Sequence, residues 1–96
     1  MPFVLPLPKK WKDAGWTARI AEKERLEPPH VTIRHRELSW RLGLRDGEFL
    51  GRRPPPGSVP AGLVECVETN FPLLIVEWDR KYPGNRVRRE ESGNDG

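Results

Sequence analysis

The 96-residue sequence predicts an α+β domain: a small antiparallel β-meander of three to four strands packed on one C-terminal helix kinked near Pro72. Three observations predict it. Apolar and polar residues alternate strictly over 30–34 and again over 38–45, the mark of half-buried strands. A break near 35–37 and the Asp46-Gly47 turn pair bound these runs as short pieces. Beyond residue 60 the apolar spacing changes from two to three and four, which traces one helical face.

Residues 1–14 place Pro2, Pro6 and Pro8 among apolar residues and end in Lys9, Lys10, Trp11, Lys12 and Asp13. Those prolines exclude a helix and restrict any strand to a sheet edge, so an extended arm is expected. Phe3, Val4, Leu5 and Trp11 are its candidates for packing on the body or on a second subunit. Trp16, Ala18 and Ile20 then alternate with Thr17, Arg19 and Ala21, which reads as a strand. Residues 22–27 alternate in charge, and Pro28-Pro29 hold the chain extended ahead of His30.

Side chains alternate across a strand with period two. Val31 and Ile33 therefore share one face, and His30, Thr32 and Arg34 the other. Leu38, Trp40, Leu42 and Leu44 form the next apolar set, with Ser39, Arg41, Gly43 and Arg45 opposite. The link at His35, Arg36 and Glu37 has no Gly or Asn, so its turn type stays open. Asp46-Gly47 tolerates the positive φ of a type I′ turn and predicts a hairpin between residues 42–45 and 48–51.

Residues 51–60 are a proline-rich loop whose expected role is a stiff crossover. Ser58 is the expected N-cap of the helix, with Pro60 in its first turn. Leu63, Val67, Phe71, Leu74, Trp78 and Tyr82 trace the apolar face of a helix over 60–81. Pro72 should kink or split it near 69–72. A buried strand over 71–78 is the alternative. Pro83-Gly84-Asn85 ends the helix, and 86–96 read as a frayed tail. One domain, 1–96, is expected.

Turning the apolar residues inward gathers His30, Thr32, Arg34, Arg41 and Arg45 on the outer face, joined by Arg19. Arg52 and Arg53 extend the group. Arginine forks suit phosphate recognition, and the alternative is a solvated sheet face. His30 is the candidate catalytic residue, a general acid–base able to act on a phosphodiester, with Glu24, Arg25 and Glu27 just upstream. The alternative for His30 is a ring nitrogen bonded to nearby backbone. His30 and His35 fall on opposite faces and Cys66 is distant, so no metal and no cofactor are expected. Trp40 reads as core, Trp78 and Tyr82 as core or interface, and Cys66 as a small buried filler.

The net charge is +3 and the pI about 9.4, compatible with nucleic acid without requiring it. Residues 1–53 hold 12 basic and 7 acidic groups, whereas 54–82 hold two basic and four acidic. The strand region is thus the positive side. One cysteine excludes an internal disulfide, the first ten residues do not resemble a signal peptide, and no apolar run spans a bilayer. A cytoplasmic location follows as the expectation.

The words KERLEPPHVTI, SWRLGLRDGEFL and EWDRKYPGN resemble a family of small bacterial proteins catalogued as a domain of unknown function. The likeness covers roughly residues 15–85. It implies a PPH lead into a strand, a meander and one closing helix, in genes thought to occur as toxin–antitoxin-like pairs. Arg25, His30, Arg34, Trp40 and Arg41 match the family pattern. Thr32 stands where relatives often place a second histidine, which counts against a two-histidine site here; Pro72 is also a departure. The resemblance and the charge pattern together imply a toxin-like protein that binds RNA or another polyanion through Arg19, Arg25, Arg34, Arg41 and Arg45, with a small antitoxin-like partner. A metal-free ribonuclease is the enzymatic version. A non-catalytic interaction module acting as a homodimer is the alternative.

Overall fold

The computed structural model describes residues 3–20 and 28–87. Four strands, β1 (Phe3–Val4), β2 (Trp16–Ile20), β3 (His30–His35) and β4 (Leu38–Gly43), form one sheet in the order β1-β2-β3-β4. Every neighbouring pair is antiparallel. Three helices complete the fold: α1 (Lys9–Asp13), α2 (Ala61–Thr69) and α3 (Phe71–Lys81). This is the α+β meander with C-terminal helical cover that the alternation predicts.

The register carries the sorting of side chains. Ala18, Ile33 and Trp40 lie in one row across β2, β3 and β4, and Val31 stands beside Leu42. All five are buried, with Trp16 and Ile20, against Leu63, Val67, Leu74, Trp78 and Tyr82 of the helical region. Trp40 also donates its indole N–H to the Pro55 carbonyl at 3.0 Å, which ties the proline-rich loop to the core. Leu38 departs from its set: it lies at the hairpin tip and is 47% exposed.

The proline-rich arm does contain a helix. Pro8 caps α1, and the helix begins at Lys9, the first position free of proline. Leu5 donates its N–H to the Ala18 carbonyl at 2.8 Å and buries its side chain, which fixes the arm on the edge of β2.

The β3–β4 link falls where the sequence breaks, whereas the turn after β4 differs from expectation. His35 pairs with Leu38, so Arg36 and Glu37 alone connect β3 to β4. Arg36 adopts φ 58°, left-handed backbone that costs a branched-out side chain energy. After β4 the expected two-residue turn is a longer connection over 44–47. Gly43 N–H donates to the Glu48 carbonyl at 2.8 Å, and Gly47 N–H to the Gly43 carbonyl at 3.1 Å. Asp46 stays at negative φ, and its carboxylate instead accepts the Glu48 N–H at 3.0 Å. That side-chain bond replaces a ladder bond and widens the turn. Phe49 then bridges back to Leu42. Gly43 is required here, because a Cβ would lie 2.9 Å from the Glu48 carbonyl oxygen.

The helical cover is split at Asn70, not merely bent. Pro72 lacks the N–H that would reach the Glu68 carbonyl, and its ring crowds that carbonyl. Asn70 leaves helical geometry, which places Pro72 in the first turn of α3, where proline fits. The Cys66 carbonyl, one of the four at the end of α2, accepts Asn70 Nδ2–H at 2.9 Å, and Thr69 Oγ1 donates back to the Glu65 carbonyl at 2.9 Å. Residues 71–78 are therefore helix. Ser58 lies in a 3₁₀ turn, Pro56–Ser58, and Pro60, not Ser58, occupies the N-cap of α2. Cys66 is half-buried rather than fully enclosed, since it stands beside the apolar stripe. No helix among the described residues is long and apolar enough to cross a membrane.

Candidate nucleic-acid interface

The residues opposite the core fall into two rows. Arg19, Thr32 and Arg41 are cross-strand partners on β2, β3 and β4, and Thr17, Arg34 and Ser39 form the adjacent row. Arg34, Arg41, Thr17 and Ser39 are exposed; Arg19 and Thr32 are half-buried. Pleat geometry forces this arrangement once Ala18, Ile33 and Trp40 turn inward. With strands about 4.8 Å apart, Arg19 and Arg41 stand roughly 10 Å apart, and Arg34 lies about 7 Å along the strand direction. Each arginine is thus flanked across strands by a hydroxyl-bearing residue.

The three arginines are held differently. Arg19 stands opposite Val4 of the edge strand, and its Nε is buried without a hydrogen-bond partner among the described residues. Arg34 takes part in no hydrogen bond or ion pair among the described residues. Arg41 donates to the Leu50 carbonyl at 3.4 Å, a long contact. Ser39, Arg41 and Arg53 line a shallow cleft of about 30 Å³ between β4 and the proline-rich loop. Arg53 therefore extends the arginine group beyond the sheet, while Arg52 is exposed on the same loop.

Two expected site residues are placed elsewhere. His30 is 1% exposed. By pleat parity it belongs with Thr32 and Arg34, yet its cross-strand partner is Gly43, which has no side chain. Its ring rests against Trp78 with centroids 5.5 Å apart, and Nδ1–H donates to the Pro28 carbonyl at 2.8 Å. The enclosed ring bonded to the Pro28 carbonyl is the arrangement that the alternative reading of His30 expects. Arg45 is committed to the chain's C-terminal segment. Its Nε donates to the Val87 carbonyl at 2.8 Å and a terminal nitrogen to the Arg86 carbonyl at 2.7 Å. Arg45 thus clamps residues 86–87 to the connection after β4. The same segment is held by Val87 N–H donating to Asp79 Oδ1 at 2.8 Å and by Trp78 Nε1–H donating to the Asn85 carbonyl at 2.6 Å. Residues 86–87 are accordingly docked, not frayed, and 88–96 lie outside the described residues. Arg25 also lies outside the described residues.

His35 has a structural role as well. It stacks on Trp16 at 4.2 Å between centroids, and Nε2–H donates to the Ala14 carbonyl at 3.0 Å. No group of three or more His, Cys, Asp or Glu residues among those described could hold a metal ion. A recess of about 190 Å³ lies under the arm between Leu5, Leu7 and Trp16 and is mainly apolar. Sequence reasoning left Arg53 at the margin of the site; its placement depends on the loop folding back against Arg41 and Ser39.

Comparison with family models, curated proteins and solved structures finds no match. The family resemblance therefore rests on the quoted residues alone.

Proposed function

We propose that this chain is a non-catalytic binder of a polyanion, RNA foremost, through the outer face of β2, β3 and β4. The supporting observation is the register that sets Arg19, Arg34 and Arg41 on one open face with Thr17, Thr32 and Ser39 between them. Guanidinium forks and hydroxyls are the donors that hold phosphate and sugar oxygens. The burial of His30 favours this non-catalytic reading over a metal-free ribonuclease. Binding of labelled RNA at low salt tests the reading: affinity that falls steeply with added salt is expected, and no binding contradicts it.

The toxin-like role in a two-protein module rests on the resemblance. Its test is co-purification with the product of an adjacent small acidic reading frame. A homodimer is the second reading, favoured by Leu73 and Val76, which are 42% and 52% exposed one turn apart on α3. Light scattering separates the outcomes, since a concentration-independent monomer rules the dimer out.

A further inference from the structure

We infer that the arginine face takes duplex in preference to single-stranded nucleic acid, holding it by its sugar–phosphate backbone without reading bases. The inference rests on the polyanion reading of this face and adds the class of partner. Single-strand binders combine a basic groove with exposed aromatic rings on which successive bases stack. Of the eight aromatic residues, four are buried and four, Phe3, Trp11, Phe49 and Phe71, are half-buried; of the half-buried rings, Phe49 lines the cleft beside Arg41. Trp16, Trp40, Trp78 and Tyr82 are buried in the core, and Trp40 reaches only the margin of the cleft beside Arg41. Trp40 is further tied to the Pro55 carbonyl, and Trp16 is already stacked on His35. A flexible strand laid on this face would lose conformational freedom with no row of exposed rings for successive bases to stack on.

The donors that the face does offer are backbone donors. Guanidinium groups suit phosphate oxygens, and the hydroxyls of Thr17, Thr32 and Ser39 suit phosphate or a ribose 2′-OH. The cleft beside Arg41 is small and shallow, about 30 Å³. It does place Arg53 next in line after Arg41. The row Arg19, Thr32, Arg41 thus continues onto the loop. Arg19 and Arg41 are roughly 10 Å apart, comparable with the groove widths of about 6–12 Å that separate phosphates of opposite strands. A rigid face with cations at that separation matches a duplex, which arrives with its phosphates already spaced.

The test is fluorescence anisotropy at low salt on the whole chain. The probes are an RNA duplex of about 16 base pairs, the span of a shape-reading RNA-binding domain, its DNA counterpart, each single strand, and inorganic polyphosphate. Both duplexes binding at least about fivefold tighter than either single strand is expected, whichever duplex is the tighter. Arg34→Gln and Arg53→Gln, each checked for folding by a thermal melt, should each weaken duplex binding severalfold. Single strands or polyphosphate binding as tightly as duplex, or duplex affinity unmoved in both variants, would overturn the inference while leaving the polyanion reading in place. No binding to any probe overturns both.

Discussion

Trp40 and Arg41 are chain neighbours in β4 with opposite fates: Trp40 is 4% exposed and bonded to the Pro55 carbonyl, while Arg41 is exposed on the other side of the sheet. A one-residue slip of β4 would exchange them and bury a guanidinium. Trp40→Ala should therefore cost about 3–5 kcal/mol of stability, from lost burial and the cavity left behind. Arg41→Ala should move stability by no more than about 0.5 kcal/mol, as a surface change away from the core. Denaturant melts of the two variants check the contrast, and equal losses would contradict the register.

Arg36 at φ 58° is the one residue other than glycine with positive φ among those described. Arg36→Gly should relieve the steric cost of that backbone and stabilise the hairpin, by about 0.5–1 kcal/mol net of the added unfolded-state entropy. An increase in the midpoint of urea unfolding checks it. A decrease would mean that the Arg36 side chain contributes more than the strain removes.

The clamp at Arg45 separates structural from binding arginines. Arg45→Ala leaves the Val87 and Arg86 carbonyls without their donor and should cost about 1–3 kcal/mol. Hydrogen exchange at the Val87 amide should rise with it. RNA affinity of the folded protein should stay unchanged, because Arg45 points to the C-terminal segment.

His30→Ala should likewise act through stability. It removes a ring buried against Trp78 and the bond to the Pro28 carbonyl, a loss of about 2–4 kcal/mol. If folded His30→Ala protein instead lost a measurable RNA cleavage activity of the parent, the structural assignment of His30 would be wrong.

The alternation of Trp16, Ala18 and Ile20, and of Trp40 and Leu42, made the sheet and its two faces readable from sequence, because pleating depends only on neighbours along the chain. The same logic put Arg19, Arg34 and Arg41 together correctly. It failed where a distant segment decides. His30 is enclosed by Trp78 from α3, and Arg45 is engaged by carbonyls at 86 and 87; neither partner lies within forty residues of its target. Arg36 gave no signal because a left-handed turn usually announces itself with Gly or Asn. Pro72 marked the interruption of the helical cover, but the clean break at Asn70 depends on the Asn70 side chain meeting the Cys66 carbonyl at the end of α2.

The salt dependence of RNA-duplex affinity, compared between the parent and Arg34→Ala, tests the central claim most directly. Each phosphate contact contributes a slope of about −0.9 in log K against log salt, so three or four arginines should give roughly −3. Arg34→Ala should reduce that magnitude by about one contact and leave folding intact. A slope near zero in the parent, or an unchanged slope in the variant, would show that the outer face of the sheet does not hold phosphates.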